Sequence, residues 1–238
     1  MSSCPPSGRR RATGTPLAWG AVLAWILAMA GCPRSTGPGS GPPQHYDDPS
    51  AMIEVFEDSE RDAWQMPDQV VRALSISRRD ATIADIGAGS GYFTRRLAAE
   101  VPEGRVYAVD VDREFEDYLL ANREAWGTPN IEPRLAMYDD PMLPAAGIDL
   151  VFTANTYAYI RDRVGYFDKV RSALRPDGRL VIIEFRPDAT APGTIAPAPE
   201  HRVSQQAALT ELAEAGFTLE REENFLPHQW FLVLKPTP

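Results

Sequence analysis

The chain has 238 residues, 44% of them hydrophobic, with 22 prolines and a formal net charge of −9. Its length suits one domain of about 190 residues plus extra segments, since length over ~150 is a soft guide to domain number. Beyond its first 31 residues the chain is acidic and has no Lys/Arg cluster, so it lacks the surface that phosphate contacts require and no nucleic-acid partner is expected.

The only two cysteines, Cys4 and Cys32, lie near the start. No C-x-x-C pair or His/Cys cluster is present, so no metal site is expected. Residues 1–16 are polar and basic, with Arg9, Arg10 and Arg11. Leu17–Gly31 is an apolar run of 15 residues, short of the ~20 that span a bilayer. A basic segment before such a core reads as a secretory signal.

That run ends Met29-Ala30-Gly31-Cys32. The ending resembles the lipobox of bacterial lipoproteins, with Met29 where the pattern has Leu. The resemblance implies cleavage before Cys32 and lipidation of its thiol. The protein would then be a membrane-anchored lipoprotein on the periplasmic or cell-surface side of a bacterium. A short uncleaved anchor or a misassigned start is the alternative. Residues 1–31 are thus expected to be the signal peptide and 32–45 the lipidated cysteine and tether. Pro33–Gln44 carries four prolines and three glycines; it has almost nothing to bury and, if flexible, spans roughly 20 Å.

Residues 46–238 are expected to form the domain, with cap helices over 46–75 and the core over 80–238. One helix is predicted near Ser50–Ser59, with Met52, Val55 and Phe56 on one face. A second starts at Pro67, which suits a first helical position, and carries Val70, Val71 and Leu74. Between them, Trp64 and Gln65 either face a site or, for Trp64, pack onto the core.

Thr82–Leu97, TIADIGAGSGYFTRRL, is the central stretch. An apolar strand leads into Gly87, Gly89 and Gly91, and a helix follows with Phe93, Leu97 and Val101 on one face. Strand, glycine turn and helix make a nucleotide-binding unit. Glycine lets the backbone turn with positive φ and approach a ligand closely. The dinucleotide spacing G-x-G-x-x-G would need glycine at Tyr92, which argues against NAD or FAD. D-x-G-x-G-x-G after a first strand resembles motif I of the class I S-adenosylmethionine-dependent methyltransferases.

Arg105–Asp110 is the second predicted strand. Its terminal acid stands where a carboxylate accepts hydrogen bonds from ribose hydroxyls. Asp112 reads as an N-cap for a helix over Glu114–Trp126. A third strand covers Ile131–Ala136. The resemblance implies an acid after it that meets the adenine amino group, Asp139 or Asp140, with Asp139 preferred; an Asp-rich turn is the plainer reading. Ile148–Thr153 is a buried parallel strand. At its carboxyl end Asn155, Tyr157 and Tyr159 are candidates for the methyl donor or the acceptor; core packing is the alternative for Tyr159.

Arg161–Leu174 is helical, with Val164, Phe167, Val170 and Leu174 inward. Leu174–Phe185, LRPDGRLVIIEF, joins a turn to a fifth strand and resembles the family's late motif. Arg186–Arg202 is a long Pro/Ala-rich loop carrying His201, either a base or a surface residue. Ser204 caps a helix that Gly216 closes. Phe217–Asn224 and Gln229–Leu234 form a terminal hairpin.

The resemblance covers Met52 to about Lys235. It implies an α/β fold: a Rossmann-like three-layer sandwich whose seven-stranded, mostly parallel sheet has an antiparallel C-terminal strand. It implies S-adenosyl-L-methionine as cofactor, held by Asp85, Gly87, Ala88, Gly89, Gly91, Asp110, Val111, Asp139 and Asn155. The methyl would pass by in-line displacement to a small-molecule acceptor. His201 and Tyr157 are the candidate bases. The alternative is a non-catalytic lipoprotein module that binds an adenosyl ligand or a partner. An NAD-dependent oxidoreductase is disfavoured by Tyr92 and the hairpin.

Overall fold

The computed structural model describes residues 46–190 and 195–237. The signal peptide, Cys32 and the tether lie outside the described residues. Helix α1 is Pro49–Phe56, started by Asp48, whose carboxylate accepts from the Ala51 N–H at 3.0 Å. Helices α2, Arg61–Gln65, and α3, Pro67–Ala73, are separated by Met66 in a left-handed conformation, φ 48°. Pro67 occupies the first turn of α3, where its missing N–H costs nothing.

The core alternates strands and helices. Strand β1 is Thr82–Ile86 and β2 is Arg105–Asp110, with α4, Thr94–Glu100, between them and α5, Arg113–Asn122, after β2. Asp112 is at the N-cap position of α5 but makes no side-chain capping bond there. Next come β3, Ile131–Leu135, β4, Ile148–Ala154, and α6, Arg163–Ala173. Strand β5 is Leu174–Phe185. The predicted turn at its start is absorbed into the strand, with a register shift against β4 between Ile148 and Leu150. Helix α7 is Gln205–Glu214, and the hairpin is β6, Phe217–Glu223, with β7, Gln229–Pro236. Ser204 caps α7 through the Ala207 N–H at 3.2 Å.

The seven strands form one sheet in the order β3-β2-β1-β4-β5-β7-β6. The pairs from β3 to β5 are parallel, and β7 runs antiparallel to both neighbours. Successive residues on a strand face opposite sides, and the core divides accordingly. On one side Ile86, Ile182 and Leu232 pack with α6 and α7 through Phe167, Val170 and Leu212. On the other Ile83, Val181, Val233 and Phe231 pack with α3, α4 and α5 through Val70, Leu97 and Leu119. Full burial of a side chain such as Phe152 or Phe231 is worth about 1.5–3 kcal/mol. These two apolar faces make the three layers. The order reverses around β1 and β4, which opens a crevice at their carboxyl ends.

Candidate functional site

A cleft of ≈ 1030 Å³, its mouth included, lies at that crevice. The turn after β1 forms its floor. Gly87, Gly89 and Gly91 take φ of 75°, 52° and 85°. Gly87 is needed twice over. A Cβ there would overlap Thr156 Oγ1 and stand 2.7 Å from its Cγ2. A Cβ at Gly89 would come within 3.1 Å of the Phe56 ring, tighter than an ordinary contact, so glycine lets the cap pack on the turn. The Gly87 and Ala88 N–H groups both donate to the Val109 carbonyl, at 2.8 and 3.1 Å, which ties the turn to β2.

Asp110 ends β2 at the cleft wall. Its carboxylate accepts from the Gly89, Val111 and Asp112 N–H groups, at 2.8, 2.8 and 3.2 Å. Burial pushes its pKa up to about 6, against the pull of these donors. A carboxylate has about four acceptor positions, so these three bonds leave room for one from a ligand hydroxyl. Asp85 is 3% exposed and accepts from the Thr94 hydroxyl at 2.6 Å. Burial raises its carboxyl to about 7, the Thr94 bond opposing the shift.

The cap completes the walls. Tyr46, Phe56 and Arg61 line the cleft. Tyr46, Phe56 and Phe115 form an aromatic cluster with centroids 5.6 to 6.3 Å apart. Glu57 binds α4 and the glycine turn through Arg95 at 2.7 Å and the Ser90 hydroxyl at 2.6 Å.

Most of the expected site residues meet here. Asp85, Gly87, Ala88, Gly89, Asp110, Val111 and Asn155 line the cleft, as does Tyr159. Gly91 lies one residue below the lining; a Cβ there would strike Leu119 Cδ2 at 2.6 Å, so its role is helix packing. Asn155 has φ 61°, an uncommon backbone for a residue with a side chain.

Four candidates are placed elsewhere. Asp139 is exposed, and Lys169 donates to its carbonyl at 2.6 Å. A bridge between Met137 and Asp140 turns the chain so that Met137 and Tyr138, not the acids, line the cleft. Asp140 pairs with Lys169 at 3.1 Å instead. Tyr157 is fully buried among Phe167 and Trp230, on the other side of a short turn from Tyr159. Its hydroxyl donates to Glu211 at 2.7 Å, and burial beside that carboxylate raises its pKa. His201 ends a short 3-10 turn, Pro199–His201, and does not line the cleft; from that loop Ile195 does. Trp64 packs on Phe185, centroids 5.6 Å apart.

Arg61 and Tyr46 were not anticipated from sequence. Neither sits in a motif, and only the folding of the cap onto α4 and β4 brings them to the cleft.

A glycine floor and a strand-end acid over it lie at the crevice of an α/β fold with a mixed, hairpin-closed sheet. Comparison with known proteins finds similar chains. Residues 83–178 match the model of a methyltransferase domain. The malonyl-[acyl-carrier protein] O-methyltransferase of Hahella chejuensis is 33% identical over 112 residues, 45% of this chain and 38% of that protein. The enzyme of the same name from Acetivibrio thermocellus is 30% identical over 111 residues, 47% of this chain and 37% of that one. The chain thus spans less than half the length of these relatives. The fold matches the crystal structure of a SAM dependent methyltransferase from Aquifex aeolicus, with TM-score 0.74 and 23% identity over 81% of this chain and all of that one. Residues 83–178 thus resemble a methyltransferase domain, and the fold of the chain is that of the Aquifex aeolicus structure. The cleft residues would suit S-adenosyl-L-methionine through the remaining acceptor position on Asp110 and a buried cation, Arg61, on the wall.

Proposed function

We propose that the protein transfers a methyl group from S-adenosylmethionine to a small-molecule acceptor by in-line displacement. The observation that carries this reading is the convergence of the glycine floor and Asp110 in one cleft that extends past Asn155 to Tyr159, Ile160 and Tyr166. When bound, the cofactor supplies an already activated methyl group. Asp85, Gly87, Ala88, Gly89, Asp110, Val111 and Asn155 are proposed to hold it.

Each residue has a definable task. Asp110, ionised above about pH 6, accepts from a ribose hydroxyl. Gly87 and Gly89 let Thr156 and Phe56 close on the turn. Asp85 locks the start of α4 to β1 through Thr94. Phe56, Phe115 and Tyr46 keep water from the cleft. Holding two reacting atoms in line at ~3 Å supplies much of such an acceleration, so the reading requires no base from Tyr157 or His201. The relatives' names specify a malonyl group on a carrier protein; the shared stretch is too small a part of them to carry that acceptor over.

Calorimetry of the purified full chain with S-adenosylmethionine, S-adenosylhomocysteine and NAD tests the reading. Binding of the two sulfur compounds and not of NAD is expected. No binding of either at millimolar concentration would end it.

Lipidation at Cys32, a membrane anchor and a periplasmic or cell-surface location are proposed on the leader's pattern alone. Inhibition of lipoprotein signal peptidase should shift the protein's mobility; an unchanged band would count against the anchor.

A further inference from the structure

We propose that Arg61 receives the α-carboxylate of the cofactor, and that a ring of three amides, the buried Gln65 and Gln229 and the half-buried Asn155, holds Arg61 in position. This rests on the reading of the cleft as an S-adenosylmethionine site.

Arg61 is only 7% exposed, yet it borders the cleft. Its guanidinium stacks 3.7 Å from the centroid of the Tyr92 ring. Among the described residues it has no carboxylate within ion-pair distance. The two acids that act on it are committed elsewhere. Glu57 pairs with Arg95 at 2.7 Å. Asp85 bonds Thr94, and burial raises its pKa, which weakens it as a counter-charge. Burial lowers the Arg61 pKa to about 10, which leaves it cationic. A buried charge without a counter-charge is unfavourable, and an anion entering beside it removes that penalty. The cofactor brings one such anion, at its amino-acid end.

The guanidinium is held by two bonds. Nη1 donates to the Phe56 carbonyl at 2.9 Å and Nε to Gln65 Oε1 at 3.3 Å. Arginine has five N–H donors, so these bonds orient the group without consuming it. Gln65 is itself fixed. Its Nε2 donates to Gln229 Oε1 at 2.8 Å, Gln229 Nε2 donates to Asn155 Oδ1, and Asn155 Nδ2 returns to Gln65 Oε1 at 3.2 Å. The loop of amides closes. It joins α2 of the cap, β7, and the end of β4. Gln65 Oε1 accepts from both Asn155 and Arg61, which fills its two lone pairs. Gln65 and Gln229 do not line the cleft and act through Arg61 and Asn155; they are positioning residues.

Two ligands separate a carboxylate receptor from a residue that merely supports the fold. S-adenosylhomocysteine has the amino-acid end, and 5′-methylthioadenosine lacks it. In calorimetric titrations of the full chain, Arg61→Met is expected to weaken S-adenosylhomocysteine roughly 10- to 100-fold, the value of a charge-assisted hydrogen bond. It should change methylthioadenosine affinity by less than about 3-fold, and that retained binding also reports an intact fold. Arg61→Lys should recover part of the loss. Gln65→Leu should reproduce the selective loss at smaller size. Equal weakening of both ligands, or no change in either, overturns the inference. If Arg61→Met does not fold, the same contrast in Arg61→Lys and Gln65→Leu decides. If the unaltered protein binds neither ligand, the cofactor reading itself falls, and the inference with it.

Discussion

Gly87→Ala tests the geometry of the cleft floor most sharply. The substitution adds one methyl group at a site with φ 75°. An L-residue in the left-handed region costs roughly 1–2 kcal/mol. The new Cβ would also stand 2.7 and 2.8 Å from Thr156 Cγ2 and Cβ, inside any real contact distance. Overpacking of that kind adds typically ~1–3 kcal/mol. The expected loss is therefore about 2–5 kcal/mol. Gly127 provides the control: its φ is 70°, and nothing lies within 4 Å of a Cβ there. Gly127→Ala should cost only the backbone share, roughly 1–2 kcal/mol. Thr156→Gly combined with Gly87→Ala removes the clash and should bring the Gly87 penalty down to the Gly127 value. Urea unfolding with a shared slope measures all of them. A Gly87→Ala loss no larger than that of Gly127→Ala, or no recovery in the double variant, would refute the reasoning.

Asp110→Asn keeps the shape but replaces one acceptor by a donor, so S-adenosylhomocysteine affinity should fall roughly 10- to 100-fold by calorimetry; unchanged affinity would remove Asp110 from the site. The same carboxyl should make binding weaken as pH drops below about 6, since protonation takes the acceptor away. Stability should show the opposite slope. Asp85 and Glu184 are both raised to about 7 by burial, above their unfolded values of 3.8 and 4.5. Between about pH 4 and 7 the unfolded chain gives up these protons first, so their contribution to stability falls as pH rises. Asp85→Asn and Glu184→Gln should each flatten the denaturation-midpoint profile across that window, and an unchanged profile would contradict the burial argument. Tyr157→Phe deletes a hydrogen bond to Glu211 outside the cleft. It should cost about 1 kcal/mol of stability and leave S-adenosylhomocysteine affinity unaltered; a loss of binding would return Tyr157 to the site.

The sequence by itself determined the order of the sheet's elements and the cleft floor. Strand β2 ends at Asp110 where the apolar run ends, and the turn at Gly87–Gly91 has the conformation its glycines demand. These features are local: period-two burial, glycine at positive φ and an acid at a strand terminus are written in adjacent residues. Local signals also named Asp139 and Tyr157, and here they were insufficient. Asp139 and Met137 are two residues apart, and a single bridge decides which of them meets the cleft. Tyr157 and Tyr159 share one short turn, and only the packing of Phe167, Trp230 and Glu211 determines that Tyr157 goes inward. Arg61 required the whole tertiary structure. Its meaning depends on Gln65 meeting Gln229, 164 residues later, and Asn155, 90 residues later. A short polar helix reads as solvent-exposed until distant elements exclude the water around it, and then its unpaired charge becomes a demand for a ligand.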